Sequence, residues 1–140
     1  MTATGLKITD DAVQSTNEWV NDVNEKVGWE HKHRAYRLLR SVLHAVRDHL
    51  NPDEAAQLAA QMPVLIRGVF YDGWNPSKTP LKIRARDEFI ARVQEDFGCD
   101  PLGDAPEAIA AVMAVLEARI SKGEMEDVRS TFTTEIRTLF

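Results

Sequence analysis

The feature that most constrains the fold is an internal repeat with an offset of 70 residues, half of the 140-residue length. Ile66-Arg67-Gly68-Val69-Phe70 at the midpoint is matched by Ile136-Arg137-Thr138-Leu139-Phe140 at the end. Eleven positions between 9 and 70 are identical to their counterparts without a gap: Thr9, Glu18, Val23, Glu25, Gly28, Ala35, Val42, Glu54, Ile66, Arg67 and Phe70. Chance would give roughly 4 at about 6% random identity. We therefore predict two copies of one unit, residues 9–70 and 79–140, joined by a linker over residues 71–78.

Apolar residues recur at helical spacing in both copies, which predicts an all-α fold. The strongest pattern follows Lys32: Ala35, Leu38, Leu39, Val42, Leu43, Val46 and Leu50. Its counterpart carries Ile109, Val112, Met113, Leu116 and Ile120. We expect a tandem repeat of two four-helix units, about eight helices in all, packed as one compact helical bundle. The predicted core is Leu39, Val42, Leu43, Val46, Ile109, Val112, Met113 and Leu116.

Capping residues place the helix ends. Gly28 is expected to end the first helix in the left-handed conformation. Asn51 to Glu54 and Ser121 to Glu124 have the spacing of capping boxes, and Asp104 also has the position of a cap. Thr9 and Thr79-Pro80 are expected to open the first helix of each copy.

Composition limits the function classes. A net charge of -5 and a pI near 5.3 argue against a general nucleic-acid binder, which normally carries a basic surface. The single cysteine, Cys99, excludes an internal disulfide framework and a cysteine-built zinc site, and fits a reducing compartment. No stretch has the length of a membrane span or the apolar centre of a signal peptide, so we expect a cytoplasmic location. No stretch matches a catalytic or cofactor signature.

A basic stripe is the most suggestive candidate site. It comprises His33, Arg37, Arg40, His44 and Arg47, at steps of 4, 3, 4 and 3, almost opposite the apolar face of its helix. The stripe could hold a phosphate, an acidic peptide or an anionic surface. The alternative is that it forms the solvated back of a buried helix. The second copy lacks it, with Gly103, Glu107, Ala110, Ala114 and Glu117 at the corresponding positions.

Other candidates carry weaker signals. Glu30, His31 and His33 are close in sequence but have poor spacing for a metal site on a helix. Arg67 and Arg137 lie inside apolar closing segments, which indicates either a buried ion pair or an anion bound by both arginines. Tyr71 and Trp74 have no counterpart in the second copy. They are expected either to anchor a partner or to seal the seam between the copies.

The segment from Leu58 to Trp74, with Met62-Pro63, Arg67, Phe70 and Gly73-Trp74, resembles the bacterial family called domain of unknown function 2267. The weaker second copy, which ends in Ile136 to Phe140, extends the resemblance over nearly the whole chain. The chain departs from the family pattern at Met62 and at Phe132-Thr133. The resemblance implies a small, soluble, all-helical bacterial protein with no established activity, and it supplies no catalytic residue.

These observations favour a non-enzymatic binding or regulatory module whose partner is a protein or an anionic small molecule. The alternative is a small enzyme or ligand carrier with an anion-binding pocket between the repeats, near Arg67, Tyr71 and Arg137.

Overall fold

Eight α-helices and one short 3-10 helix follow one another in the computed structural model, which describes residues 5–140. The helices are α1 (Lys7–Val27), α2 (Lys32–Asp48), α3 (Pro52–Ala59), α4 (Val64–Tyr71), a 3-10 helix (Pro76–Lys78), α5 (Arg86–Phe97), α6 (Ala105–Arg119), α7 (Lys122–Ser130) and α8 (Thr134–Arg137). Strands are absent from this range. The prediction of an all-α fold with about eight helices is confirmed.

The core is one continuous apolar cluster that draws side chains from every α-helix. All eight predicted core residues are buried. Helix α2 occupies the centre, because it contacts α1, α4, α5 and α6, and every residue from Ser41 to Leu50 is buried. A helix surrounded in this way must bury its polar side as well as its apolar side.

The helices of the two halves pack across each other. Helix α1 packs against α6, α2 packs against α5, and α3 packs against α7. The Gln61 amide contacts Ser121, and the Thr131 hydroxyl donates a hydrogen bond to Glu54, so each half also contacts the cap of the other. The two halves therefore bury one shared core.

Most predicted caps are present. Gly28 has φ 76° and ends α1 in the left-handed region. Asn51 and Glu54 form a reciprocal capping box. Ser121 accepts a hydrogen bond from the backbone of Glu124, but its own N–H donates to Gln61 at 2.8 Å. The second capping box is therefore incomplete, because Gln61 accepts the hydrogen bond from the Ser121 N–H that the Glu124 side chain would otherwise accept.

The predicted helix start at Thr79-Pro80 is wrong. Helix α5 begins at Arg86, and residues 79–85 are not helical. Long-range hydrogen bonds hold this segment: the Leu81 N–H donates to the Asp48 carbonyl at 2.6 Å, and the Thr133 hydroxyl donates to the Arg84 carbonyl at 2.7 Å. A helix that opened at Thr79-Pro80 would use the Arg84 carbonyl as an acceptor within the helix, whereas here it accepts from Thr133.

Helix α1 begins earlier than predicted, at Lys7 instead of after Thr9. The first turn contains an ion pair between Lys7 and Asp11, at the spacing of one helical turn. Thr9 consequently lies inside the helix and does not cap it.

Candidate functional site

The C-terminal part of the basic stripe is buried and does not form a solvated back of α2. His44 and Arg47 are each only 4% exposed, while Arg37 and Arg40 are partly exposed. The expectation that the whole stripe faces solvent is therefore wrong. The physical reason is that α5 packs on this side of α2 and supplies acidic partners that spacing along α2 cannot reveal.

The outer arginines of the stripe are paired within the chain. Arg37 donates to the Phe97 carbonyl at 2.7 Å and to Asp100, and this hydrogen bond lowers the pKa of the Asp100 carboxyl. Arg40 bridges Asp72 and Asp96, at 3.1 and 3.3 Å. Their positive charges are thus engaged by residues at the end of α4 and the end of α5.

His44 links α2 to two other helices. Its Nδ1 lies 2.9 Å from the Asp96 carboxylate and its Nε2 lies 2.7 Å from the Val69 carbonyl. Both partners are acceptors, so the ring links α2 to the Asp96 carboxylate on α5 and to the Val69 carbonyl on α4. Burial by itself would raise the pKa of Asp96, but the hydrogen bond and charge of His44, with Arg40 and Arg47 nearby, lower it below its ordinary value.

Arg47 and Asp48 form a buried pair that α5 completes. The Arg47 Nε donates to Asp48 at 2.8 Å, and its Nη1 donates to the carbonyls of Phe70 and Asp72. Arg92 on α5 donates to the other carboxylate oxygen of Asp48 at 3.0 Å. The Nη2 of Arg47 has no hydrogen-bond partner among residues 5–140. One carboxylate therefore serves two guanidinium groups.

A cavity of about 420 Å³, here called the linker cleft, opens beside this pair. It lies between α2, α5 and the segment that joins the two halves. Its lining residues are Arg47, Asp48, Gly73, Asn75, Lys78, Thr79, Leu81 and Arg92. The Lys78 ammonium makes no hydrogen bond or ion pair with any described residue. The cleft combines three cations with one carboxylate, which makes it a basic region in an acidic chain.

A protein-family model matches almost the whole chain. Residues 16–139 match the model of a family described as an uncharacterized conserved protein (DUF2267). The chain belongs to the DUF2267 family. The matched range includes the whole linker cleft. No curated protein matches the chain.

Two further cavities of this DUF2267 protein lie in related positions. The α2–α5 groove, about 270 Å³, is lined by His44, Ala45, Asp48, Arg92, Glu95 and Asp96. The α1–α6 groove, about 420 Å³, is lined by Asp22, Glu25, Lys26, Val115 and Ala118. At the offset of 70, each lining residue of the α1–α6 groove corresponds to a lining residue of the α2–α5 groove. The two grooves thus share a position but not a chemistry.

Arg67 and Arg137 are both exposed, and neither forms an ion pair within the described range. Arg67 donates to the carbonyl of Ala59, the last residue of α3, and to the carbonyl of Met62, which follows that helix. Arg137 donates only to the Thr134 hydroxyl. The buried ion pair expected at these arginines is wrong, because both guanidinium groups extend from the apolar segments to the surface.

Tyr71 and Trp74 pack on the core. Their rings lie 5.3 Å apart, and Tyr71 also contacts Phe70. The Trp74 indole nitrogen is buried without a hydrogen-bond partner in the described part of the chain. His33, at the start of the stripe, is exposed and stacks on Tyr36. His33 is thus separate from the buried part of the stripe.

Sequence reasoning missed the residues that complete the linker cleft. Asp48 was overlooked although it interrupts the pattern of α2 between Arg47 and His49. Arg92 was overlooked although its counterpart at the offset of 70 is Asp22, a reversal of charge that the repeat does not explain. Lys78 lies in the linker, where no periodicity exists to mark it.

Two absences apply to residues 5–140. No three side chains of His, Cys, Asp or Glu lie close enough together there to hold a metal ion. No helix in this range has the length and apolar character needed to cross a membrane.

Proposed function

We propose that this protein is a non-enzymatic binding module that holds a small anion in the linker cleft. The observation that carries the proposal is the charge of the lining: Arg47, Lys78 and Arg92 face a single carboxylate, Asp48. This leaves a formal excess of two positive charges in a chain whose net charge is -5. A phosphate-class or carboxylate ligand would compensate this excess.

The guanidinium of Arg47 is held in position in the cleft by the chain itself. Arg47 is buried and held by three hydrogen bonds, so its guanidinium loses little conformational entropy when it binds. Its Nη2 is still free to donate. Arg92 and Lys78 approach from α5 and from the segment between the halves, so three separate elements converge on one ligand.

The histidines favour binding over acid-base catalysis. Both ring nitrogens of His44 already contact acceptors of the chain itself, the Asp96 carboxylate and the Val69 carbonyl, so neither nitrogen is left for a substrate. The Nε2 of His49 is buried beside the rings of Phe89 and Phe132, where a substrate has no access.

Thermal unfolding in inorganic phosphate tests the proposal. We expect phosphate to raise the midpoint of the wild-type protein more than sodium chloride of the same ionic strength, because a ligand that binds only the folded state stabilises it. Lys78→Gln should lose most of this difference. Lys82→Gln is the matched control, since Lys82 is exposed four residues further along the chain and does not line the cleft. Equal phosphate and chloride curves for the wild type would refute the proposal.

A second candidate function is protein binding through an apolar surface. Five large apolar side chains at the start of α1 and of α4 are exposed: Leu6, Ile8, Val13, Val64 and Leu65. Helices α1 and α4 contact each other, which favours one continuous patch. Affinity capture from the host should yield a partner with the wild type and lose it with Leu65→Ser. Capture of the same proteins by both would count against this candidate.

We also propose that the chain is a tandem duplication over residues 9–70 and 79–140. The crossed packing of α1 on α6 and of α2 on α5 supports it, because these contacts exchange under the offset of 70. The matching positions of the two grooves support it further. An experimental structure in which the halves fail to superpose at this offset would contradict it. The free Cys99 fits a reducing compartment, so a bacterial cytoplasmic location remains part of the proposal.

A further inference from the structure

Two cavities meet at one ion pair. Asp48 and Arg92 line both the linker cleft and the α2–α5 groove, so the pair stands between a space of about 420 Å³ and a space of about 270 Å³. Arg92 is the more movable partner, because its side chain is 40% exposed while that of Asp48 is 8% exposed. A ligand that extends from one cavity into the other would therefore pass beside Arg92, which lines both.

The unpaired charges of the two cavities have opposite signs. In the linker cleft, the Lys78 ammonium lacks a partner. In the α2–α5 groove, Asp96 is engaged by Arg40 and His44, while the Glu95 carboxylate makes no hydrogen bond or ion pair with any residue the structure describes. One cavity thus offers a cation and the other an anion.

The spacing of these charges defines the size of a ligand. Arg92 and Glu95 are three residues apart on α5, which is a rise of about 4.5 Å along the helix. Side chains at this spacing are neighbours on the helix surface, about 5–6 Å apart at Cβ, and a molecule that bridges the two needs charges at roughly this separation. That distance exceeds the separation of the charged groups in an α-amino acid, and it suits a short aliphatic chain with a charge at each end.

We propose that the two cavities together bind one zwitterion, an aminoalkyl carboxylate or aminoalkyl phosphate. Its anionic group lies with Lys78, Arg92 and Arg47 in the linker cleft, and its ammonium group lies at Glu95 in the α2–α5 groove. This inference rests on the proposed function, because it requires an anion in the linker cleft, and it names the class of that anion.

The α1–α6 groove provides an internal control. Glu25 occupies the position equivalent to Glu95 and also lines a groove. The neighbouring positions hold Asp22 and Ala118 instead of Arg92 and Asp48, so the ion pair that lines the other two cavities has no counterpart here. Glu25 therefore offers a carboxylate in the same setting without an anion site beside it.

Calorimetric titration of the full chain with γ-aminobutyrate, butyrate and n-butylamine tests the inference. The wild type and Glu25→Gln should bind γ-aminobutyrate about fivefold more tightly than butyrate, the ratio expected from one exposed ion pair. Glu95→Gln should reduce this ratio to about one. Lys78→Gln should weaken both carboxylates. Binding of n-butylamine should be the weakest, because it lacks the anionic group.

The outcomes separate the inference from the proposed function. Equal binding of γ-aminobutyrate and butyrate by the wild type, or an unchanged ratio in Glu95→Gln, overturns the zwitterion and leaves anion binding intact. Absence of binding by γ-aminobutyrate, butyrate and phosphate alike overturns both. Unfolding midpoints of the variants, measured without ligand, identify a variant that lost binding because it lost its fold.

Discussion

The α2–α5 groove and the α1–α6 groove occupy equivalent positions at the offset of 70, yet the charged residues that line them differ. The first contains a network of charges centred on His44, Asp48 and Asp96. At the equivalent positions, helices α6 and α1 have Ala114, Ala118 and Lys26. The shared core sets the positions of the helices, so the side chains beyond the core can differ without altering the packing. Substitutions in the charged groove should lower the stability more, because each buried charge needs its partner.

The largest effect is expected where the charged groove loses a partner. Asp48→Ala should lower the free energy of unfolding by about 3–5 kcal/mol, because it leaves Arg47 buried without a counter-ion. Ala118→Ser, at the equivalent position of the other groove, should change it by less than about 0.5 kcal/mol. Urea denaturation of both variants measures the contrast. Similar values for the two would show that the charge network contributes little to stability.

The shared core should make the two halves equally sensitive to cavities. Leu43→Ala and Met113→Ala, at equivalent and fully buried positions, should each cost about 2–5 kcal/mol. Because both side chains belong to one core, each variant should unfold in a single transition. Two separate transitions, monitored by circular dichroism and tryptophan fluorescence, would mean that the halves fold independently.

Lowering the pH should reduce the stability of the protein through His49. This residue is buried, whereas Arg119, at the equivalent position of the second half, is exposed. Burial lowers the pKa of His49, aided by Arg92 and opposed by its hydrogen bond to Ala45 and by Asp48. The unfolded chain therefore takes up a proton near its ordinary pKa of about 6.5, before the folded protein does. Stability should be complete above that pH and fall below it, by at most about 1.4 kcal/mol per pH unit for this one proton.

Urea unfolding at pH 7.5 and 5.5 measures this effect. His49→Gln cannot titrate, so its stability should change less between the two pH values. An identical change in both proteins would assign the acid sensitivity to another group. Asp96 contributes in a lower window: its lowered pKa means that its contribution is present above about pH 4 and is lost as the pH falls further.

The smallest effect is expected at the rim of the α1–α6 groove. Arg119 pairs with Asp22 at 2.6 Å, and both side chains are about a third exposed. Arg119→Gln should cost about 0–1 kcal/mol, because solvent screens such pairs. A loss comparable with that of Asp48→Ala would show that the two grooves carry similar energetic weight, despite their different chemistry.

Local sequence was sufficient for the helices, their caps and the core. The apolar series on α2 and α6 identified buried residues correctly, because an apolar helical face must be covered whichever element covers it. Gly28, Asn51 and Asp104 identified helix ends correctly, because capping uses only neighbouring residues. Residues 79–85 were assigned wrongly because hydrogen bonds to Asp48 and Thr133, distant in sequence, decide their conformation.

Only the tertiary structure decided what covers the polar side of α2. The spacing of Arg37, Arg40 and Arg47 shows which residues share a face, but the same spacing fits a solvated surface and a buried one. Carboxylates as far as 63 residues away along the chain determine which of these occurs. The linker cleft depends on the same long-range contacts, since Arg47, Lys78 and Arg92 come together only after α5 has packed on α2. Periodicity thus determined the helices and their apolar faces, and the crossed packing of the two halves determined where the charges meet.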